Sequence, residues 1–555
     1  MVIQSHNYIN LKIILFSLIL LLSCHASPVF GQTITYKVFY RIYFKDKGPV
    51  NINDFSPNEL LSVKAMERRE KAGVPVPDYR DLPVYSGYLD QISALGFKLH
   101  CTSKWMNTAL FKTDILYDIS ILIGLPFVKD VKIVKDLVTK NSAPDKLYFE
   151  TARNDLPPYD QPILMLNGQS VHSSGFNGTG ILIAVLDGGF DNAENISSLV
   201  SLRNRQGVKG TYDFVSNNED VYGFHTHGTA VLSVLAGNIS GSIVGSAQGA
   251  DYWLLRSEDT SSEFPVEEDF WAAAAEFADS VGADIISSSL GYYAFDDNLL
   301  SYKFSDMDGN STFVTQAADI AAAKGILVVS SAGNERNKEW KHIIAPSDGD
   351  SVLAVGAVDW SETISTFSSA GPSYDLRVKP DVVSQGVSVP VQVKTSVVER
   401  SNGTSFSCPV ISGMSACIMQ AVPQAINTDI ISVLHSGSDR YFTPDSLYGY
   451  GIPDIAEAIS LLQEKYLSPT DNESIVGPNP FLNHLRITFR EVPGQLVVEL
   501  FDTNGKLLKK LDFNDYVSRS LILNDFRDLK NGMYFLRLKT SGGTFIHKVI
   551  RINNQ

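Results

Sequence analysis

The sequence predicts an α/β unit at the centre of a three-part chain: a parallel sheet with helices on both faces, preceded by an α+β domain and followed by a small β-sandwich. Three observations lead there. Between residues 181 and 420 short apolar runs alternate with helical patterns, which calls for parallel strands joined by crossover helices. Asn141 to Pro162 lacks periodicity, carries four prolines, and reads as a linker from an earlier set of mixed elements. From about residue 470 short alternating strands take over, with Asn504-Gly505, Asn531-Gly532 and Gly542-Gly543 as hairpin turns.

The first part opens with a strand pattern, Tyr36 to Phe44. Ser56-Pro57-Asn58-Glu59 has the capping-box spelling with proline at the first helical position, and predicts one helix carrying Leu60, Leu61, Val63 and Met66 to an end near Gly73. A second helix is expected over 88–95, and strands around 98–100, 109–112 and 128–134.

In the central part strands are expected at 181–186, 251–255, 285–288, 326–330 and 352–358, and helices at 229–236, 267–281, 314–324 and 405–420. Chemistry-bearing residues gather at the element ends. The run Ile181 to Leu186 closes on Asp187-Gly188-Gly189, a buried strand delivering a carboxylate. His227-Gly228-Thr229 opens an apolar small-residue helix, and the strand through Val329 ends in Gly333-Asn334. Gly403-Thr404-Ser405 puts a serine hydroxyl at a helix N-terminus, beside backbone N–H groups able to stabilise an oxyanion. Singly, each has a commonplace reading: Asp before Gly as a turn, Asn after Gly as left-handed backbone, Ser as a helix cap. His225 lacks the following Gly-Thr and is expected to be exposed. Together, in the order Asp, His, Asn, Ser, the four match an acid–base–nucleophile set with an oxyanion donor.

With these flanks the region from about Leu164 to Leu462 resembles the subtilisin family (S8 subtilases) of serine proteases. Gly282 to Gly291 is similar to the family's substrate-binding strand, and Thr366 to Pro372 and Lys379-Pro380-Asp381-Val382-Val383 are similar to two of its structural signatures. The family usually spells Asp-Ser/Thr-Gly and often His-Gly-Thr-His; here Gly188 and Ala230 stand instead. The resemblance implies a subtilisin-like fold and a secreted serine endopeptidase working through an acyl-enzyme. Asp187, His227 and Ser405 would be catalytic, Asn334 would serve the oxyanion hole, and Ser289, Leu290 and Gly291 would pair with substrate. It implies protein or peptide substrates and no cofactor for the chemistry. Structural calcium is common in the family, but no position inherits a ligand, and Asp306-Met307-Asp308-Gly309-Asn310 lacks the spacing of a calcium loop. A non-proteolytic serine hydrolase such as an esterase, or an inactive cell-surface binding protein, are the alternatives from other classes.

The boundaries expected are a signal peptide over 1–31, a propeptide domain over 32–145, the catalytic domain over 146–466 and a C-terminal domain over 470–555. Lys12 followed by the run Ile13 to Leu22 has the signal pattern and is too short to span a bilayer comfortably. Cleavage after Val29-Phe30-Gly31 and acylation of Cys24, in a segment resembling a lipoprotein box, both remain open. Subtilases commonly carry an inhibitory, folding-assisting propeptide where residues 32–145 stand; an independent accessory domain is the other reading. The opening Pro478-Asn479-Pro480-Phe481, the Asp502 to Lys506 turn, Gly532 to Leu536 and the terminal Lys548 to Arg551 resemble the sorting domains of the Bacteroidetes type 9 secretion system. That resemblance implies a zymogen exported through the periplasm, secreted or attached to the surface, with the outer-membrane secretion machinery as a partner. A carbohydrate- or partner-binding sandwich is the alternative.

Charge and cysteine content narrow the field further. Residues 151–477 hold 16 Lys and Arg against 40 Asp and Glu, which argues against nucleic acid as a partner. The four cysteines have no zinc-site spacing. Cys408 and Cys417 fall about 13 Å apart along one predicted helix, beyond disulfide reach.

Overall fold

Seven parallel strands form the central sheet of the computed structural model, which describes residues 37–136, 146–147, 157–466 and 474–552 except 483, 525 and 527. In chain order they are β1 (Leu182–Asp187), β2 (Val208–Asp213), β3 (Asp251–Arg256), β4 (Ile285–Ser288), β5 (Leu327–Ser331), β6 (Val352–Val358) and β7 (Val382–Gln385). Their spatial order is β7-β6-β5-β4-β1-β3-β2. The chain therefore starts mid-sheet and builds outward on both sides, so the crevice between β1 and β4 at their C-terminal ends is a topological switch point. The expected strands are present to within about a residue. The edge strand β2 and strand β7 were not foreseen. β2 is half-exposed and β7 is only four residues long, so neither carries a long apolar run.

Helices cover both faces. On one lie α1 (His227–Ala236) and α4 (Thr404–Ala421), packed with Ile183, Val185, Ile285 and Val329. On the other lie α2 (Val266–Val281) and α3 (Phe313–Ala323), packed with Ala184, Leu186, Ile286 and Val328. Alternate residues of each strand thus feed opposite cores, as a sheet buried on both sides requires. Cys408 and Cys417 are both buried and free on α4.

The N-terminal unit is a four-stranded antiparallel sheet with helices, its strands 38–44, 98–103, 108–113 and 128–135. The single helix expected after Ser56 is two: Pro57–Leu60, then Val63–Lys71, because Ser62 turns extended and caps the second by accepting from the Ala65 N–H. The sheet lies on α2 and α3. Phe39 meets Phe270 edge-to-face and the Arg41 guanidinium forks onto Asp269 at 2.6–2.9 Å.

The C-terminal unit pairs a three-stranded and a four-stranded antiparallel sheet around Phe481, Leu485, Val498 and Leu536. Asn504-Gly505 and Gly542-Gly543 are hairpin turns. Asn531-Gly532 is not: the strands before and after it, 520–524 and 532–540, belong to different sheets. The signal segment, Cys24 and most of the linker lie outside the described residues; the linker's last residues start the short helix Gln161–Leu164.

Candidate active site

Asp187 ends β1 with its side chain wholly buried. Its Oδ1 accepts from the Gly188 N–H at 2.7 Å, so the backbone itself supplies a donor where the family's usual hydroxyl is missing. Nδ1 of His227 lies 2.9 and 3.0 Å from the two Asp187 oxygens. Three features set the ring there. The Gly228 N–H donates to Gly189 O at 3.0 Å, and Thr229 Oγ1 donates to Asp191 O at 2.7 Å. Gly228 has to be glycine, since a Cβ would sit 2.5 Å from Gly189 O and 3.0 Å from Asp187 Cβ. Ala230, in place of the family's second histidine, is buried in the core. His225 is half-buried rather than exposed, and its Nδ1 accepts from the His227 N–H at 3.1 Å.

Ser405 stands in the first turn of α4, where helix N–H groups lack intrahelical acceptors. Its hydroxyl lies 3.4 Å from Ser289 O, and Ser289 Oγ donates back to Ser405 O at 2.9 Å. Phe406, the next residue, packs against the His227 ring at 6.0 Å. Asn334 follows β5, and its Oδ1 accepts from the Thr404 N–H at 2.9 Å and the Thr404 hydroxyl at 3.0 Å. With the oxygen so engaged, Nδ2 is the group Asn334 has left to offer an oxyanion. Thr404, whose part in this was not foreseen, is marked in the sequence by its place between Gly403 and the serine.

Ser289, Leu290, Gly291, Asn334 and Ser405 line one cleft of about 460 Å³. A Cβ at Gly291 would lie 2.6 Å from Ile344 Cγ1, so the bare glycine leaves room for that side chain at the cleft. Leu147 also reaches into the cleft, and a Cβ at Gly188 would collide with its Cδ1. The Asp308 carboxylate accepts from the N–H groups of Asn310 and Ser311, closing its own loop.

A buried carboxylate–imidazole pair and a serine at a helix N-terminus, at the C-terminal edge of a doubly wound sheet, are the parts a serine hydrolase uses. Residues 178–451 match the subtilase family (peptidase S8), residues 39–147 the Bacteroidota peptidase S8 propeptide domain and residues 476–553 the secretion system C-terminal sorting domain. The chain is similar to subtilisin E of Bacillus subtilis, 28% identical over 373 residues that cover 66% of this chain and 85% of the relative. It is also similar to subtilisin DY of Bacillus licheniformis, 28% identical over 305 residues, 54% of this chain and 98% of the relative. Among solved structures a prenylagaramide maturation protease is 22% identical and covers 53% of this chain and 97% of its own, with a TM-score of 0.42. The chain thus carries a subtilase domain between a propeptide domain and a sorting domain, and it is a secreted serine endopeptidase whose sorting domain directs secretion or cell-surface attachment.

Proposed function

We propose that Ser405 Oγ attacks the scissile carbonyl of a protein substrate while His227 takes its proton and later returns it to the leaving amine. Asp187 holds the imidazole in the tautomer with Nδ1 protonated and stabilises the imidazolium. Asn334 Nδ2 and the Ser405 N–H receive the oxyanion. Ser289, Leu290 and Gly291 form the wall along which the substrate backbone runs. The observation carrying this reading is the grip of Asp187 on His227 Nδ1 at 2.9 and 3.0 Å, in a site whose other members share one cleft.

In this reading residues 1–31 direct export to the periplasm, residues 32–145 keep the catalytic unit (146–466) latent, and residues 470–555 engage the outer-membrane machinery. Fluorophosphonate labelling with a casein assay tests it. Ser405→Ala should lose both label and cleavage, by on the order of 10⁶ in kcat. Labelling without casein cleavage would mean an esterase, and no labelling of the processed form an inert binder. Deleting the last strands should abolish export.

A further inference from the structure

Three glutamates stand at one end of the cleft. Glu258 follows β3, Glu263 lies in the loop after it, and Glu267 begins α2. One oxygen of each comes within 4.8 Å of the others, and the side chains of Glu258 and Glu267 are 4% and 0% exposed. Like charges so close and so dry need a counter-cation. They have one. The Lys146 ammonium, more than a hundred residues away in sequence, sits among them at 2.5 Å from Glu258, 2.9 Å from Glu263 and 2.6 Å from Glu267, with Ser262 O at 2.7 Å. Burial opposes that charge, yet the three carboxylates hold it well above its ordinary pKa.

Lys146 belongs to the segment whose next residue, Leu147, lies in the cleft against Gly188, the neighbour of Asp187. The match to the propeptide domain runs through residue 147, two residues past the boundary expected from the sequence, so a maturation cut after Leu147 removes both residues and empties the pocket. The three carboxylates then share a buried space with no cation, next to the wall of the site formed by Ser289 and Leu290. Their arrangement suits a compact ammonium surrounded by acceptors better than a planar guanidinium, which asks for a carboxylate fork.

We propose that Glu258, Glu263 and Glu267 form an acidic subsite that takes the side chain of a lysine in the substrate, within a few residues of the scissile bond, and that Lys146 fills it in the zymogen. This rests on the protease reading of the cleft. The subsite enters turnover through substrate choice: binding a lysine there aligns the chain along Ser289 to Gly291, and a neutral side chain leaves the carboxylates unpaired.

The test uses mature enzyme released from the full-length chain and counted by fluorophosphonate titration. Quenched peptides carry lysine, arginine or the neutral isostere norleucine at each position around the cleavage point in turn. The expected result is one position where lysine exceeds norleucine by about tenfold or more in kcat/KM, with arginine between. Glu263→Gln, at the most exposed of the three, should collapse that ratio severalfold, and Glu263→Lys should invert it in favour of an acidic residue. Because the readout is a ratio within one enzyme, a partly unfolded variant does not mimic the effect. Cleavage with no lysine preference at any position overturns the subsite and leaves the protease intact. A mature enzyme that binds calcium at these glutamates, losing affinity in Glu263→Gln while showing no lysine preference, overturns it in favour of a metal site. Absence of both labelling and cleavage removes the protease reading and the subsite with it.

Discussion

Both carboxylate oxygens of Asp187 reach Nδ1 of His227, and both residues are almost wholly sealed from water. The contact fixes one tautomer: Nδ1 carries the proton, so Nε2 is the base. Asp187→Asn should therefore leave the fold intact, because Gly188 still donates to the side-chain oxygen, yet it removes the acceptor that sets the ring. We expect kcat to fall on the order of 10⁴-fold with KM little changed. Steady-state kinetics on the processed variant, with circular dichroism as the control for folding, checks this.

The N-terminal unit is latched to the catalytic unit by buried charge as well as by its sheet. Arg69 is wholly buried; it forks onto Asp81 at 2.6 and 2.8 Å within its own unit and also grips Asp279 on α2. Arg68 joins Asp279 from the same helix. Removing one member of such a pair strands the others, at a cost of about 3–5 kcal/mol. Arg69→Met should weaken inhibition of the mature enzyme by the added N-terminal segment about 10²-fold or more. The exposed Arg80→Ala should leave the inhibition constant nearly unchanged.

A second charged knot lies within the catalytic unit, and it makes stability depend on pH. Burial alone would raise the Asp381 carboxyl. The Lys379 ammonium at 2.8 Å and His435 at 3.0 Å outweigh that and hold its pKa at about 2, below the ordinary 3.8. A depressed carboxylate stabilises the fold above its unfolded pKa, and that contribution is lost as pH falls through the folded value. The shift corresponds to roughly 2 kcal/mol, present at pH 5 and above and fading between about pH 4 and 2. Urea unfolding of the native chain and Asp381→Asn should show a gap of at least that size at pH 6 that narrows steadily below pH 4. A gap that does not change with pH would contradict the assignment.

The same knot shows why much of the fold was legible. Lys379-Pro380-Asp381 stands out because a buried ion pair admits few other spellings, and the strands that end in Asp187, Ser288 and Ser331 are short apolar runs buried on both faces. What escaped were features set by tertiary context. β2 carries a half-exposed pattern at the sheet edge, Ser62 breaks a helix whose hydrophobic spacing continues past it, and Asn531-Gly532 spells a hairpin where the chain changes sheets. Of the candidate site, Asp187, His227, Asn334 and Ser405 were readable as motif ends. Glu258, Glu263 and Glu267 were not. The last opens a helix with Glu268 and Asp269, which local reasoning explains as acidic residues favoured by the helix dipole. Only folding brings the three around one lysine.

Gly188 offers the final test, because it separates latency from catalysis. The family's usual hydroxyl residue at this place is absent, and in the structure the space its side chain would fill is taken by Leu147 and Thr260. The tighter contact is with the far end of the Leu147 side chain and the other with the Thr260 methyl, neither of them backbone, so Gly188→Ser acts first by forcing Leu147 aside. Displacing Leu147 weakens the seating of the segment that fills the cleft, by about 1–3 kcal/mol for an overpacked contact. Zymogen maturation should accelerate, on the order of tenfold. The mature enzyme, from which that segment has gone, should keep kcat within a small factor, since the Gly188 N–H that donates to Asp187 remains. Following processing by gel alongside active-site titration distinguishes the two effects. A variant that matures at the ordinary rate but turns over slowly would show that glycine is needed here for the geometry of Asp187 and not for Leu147.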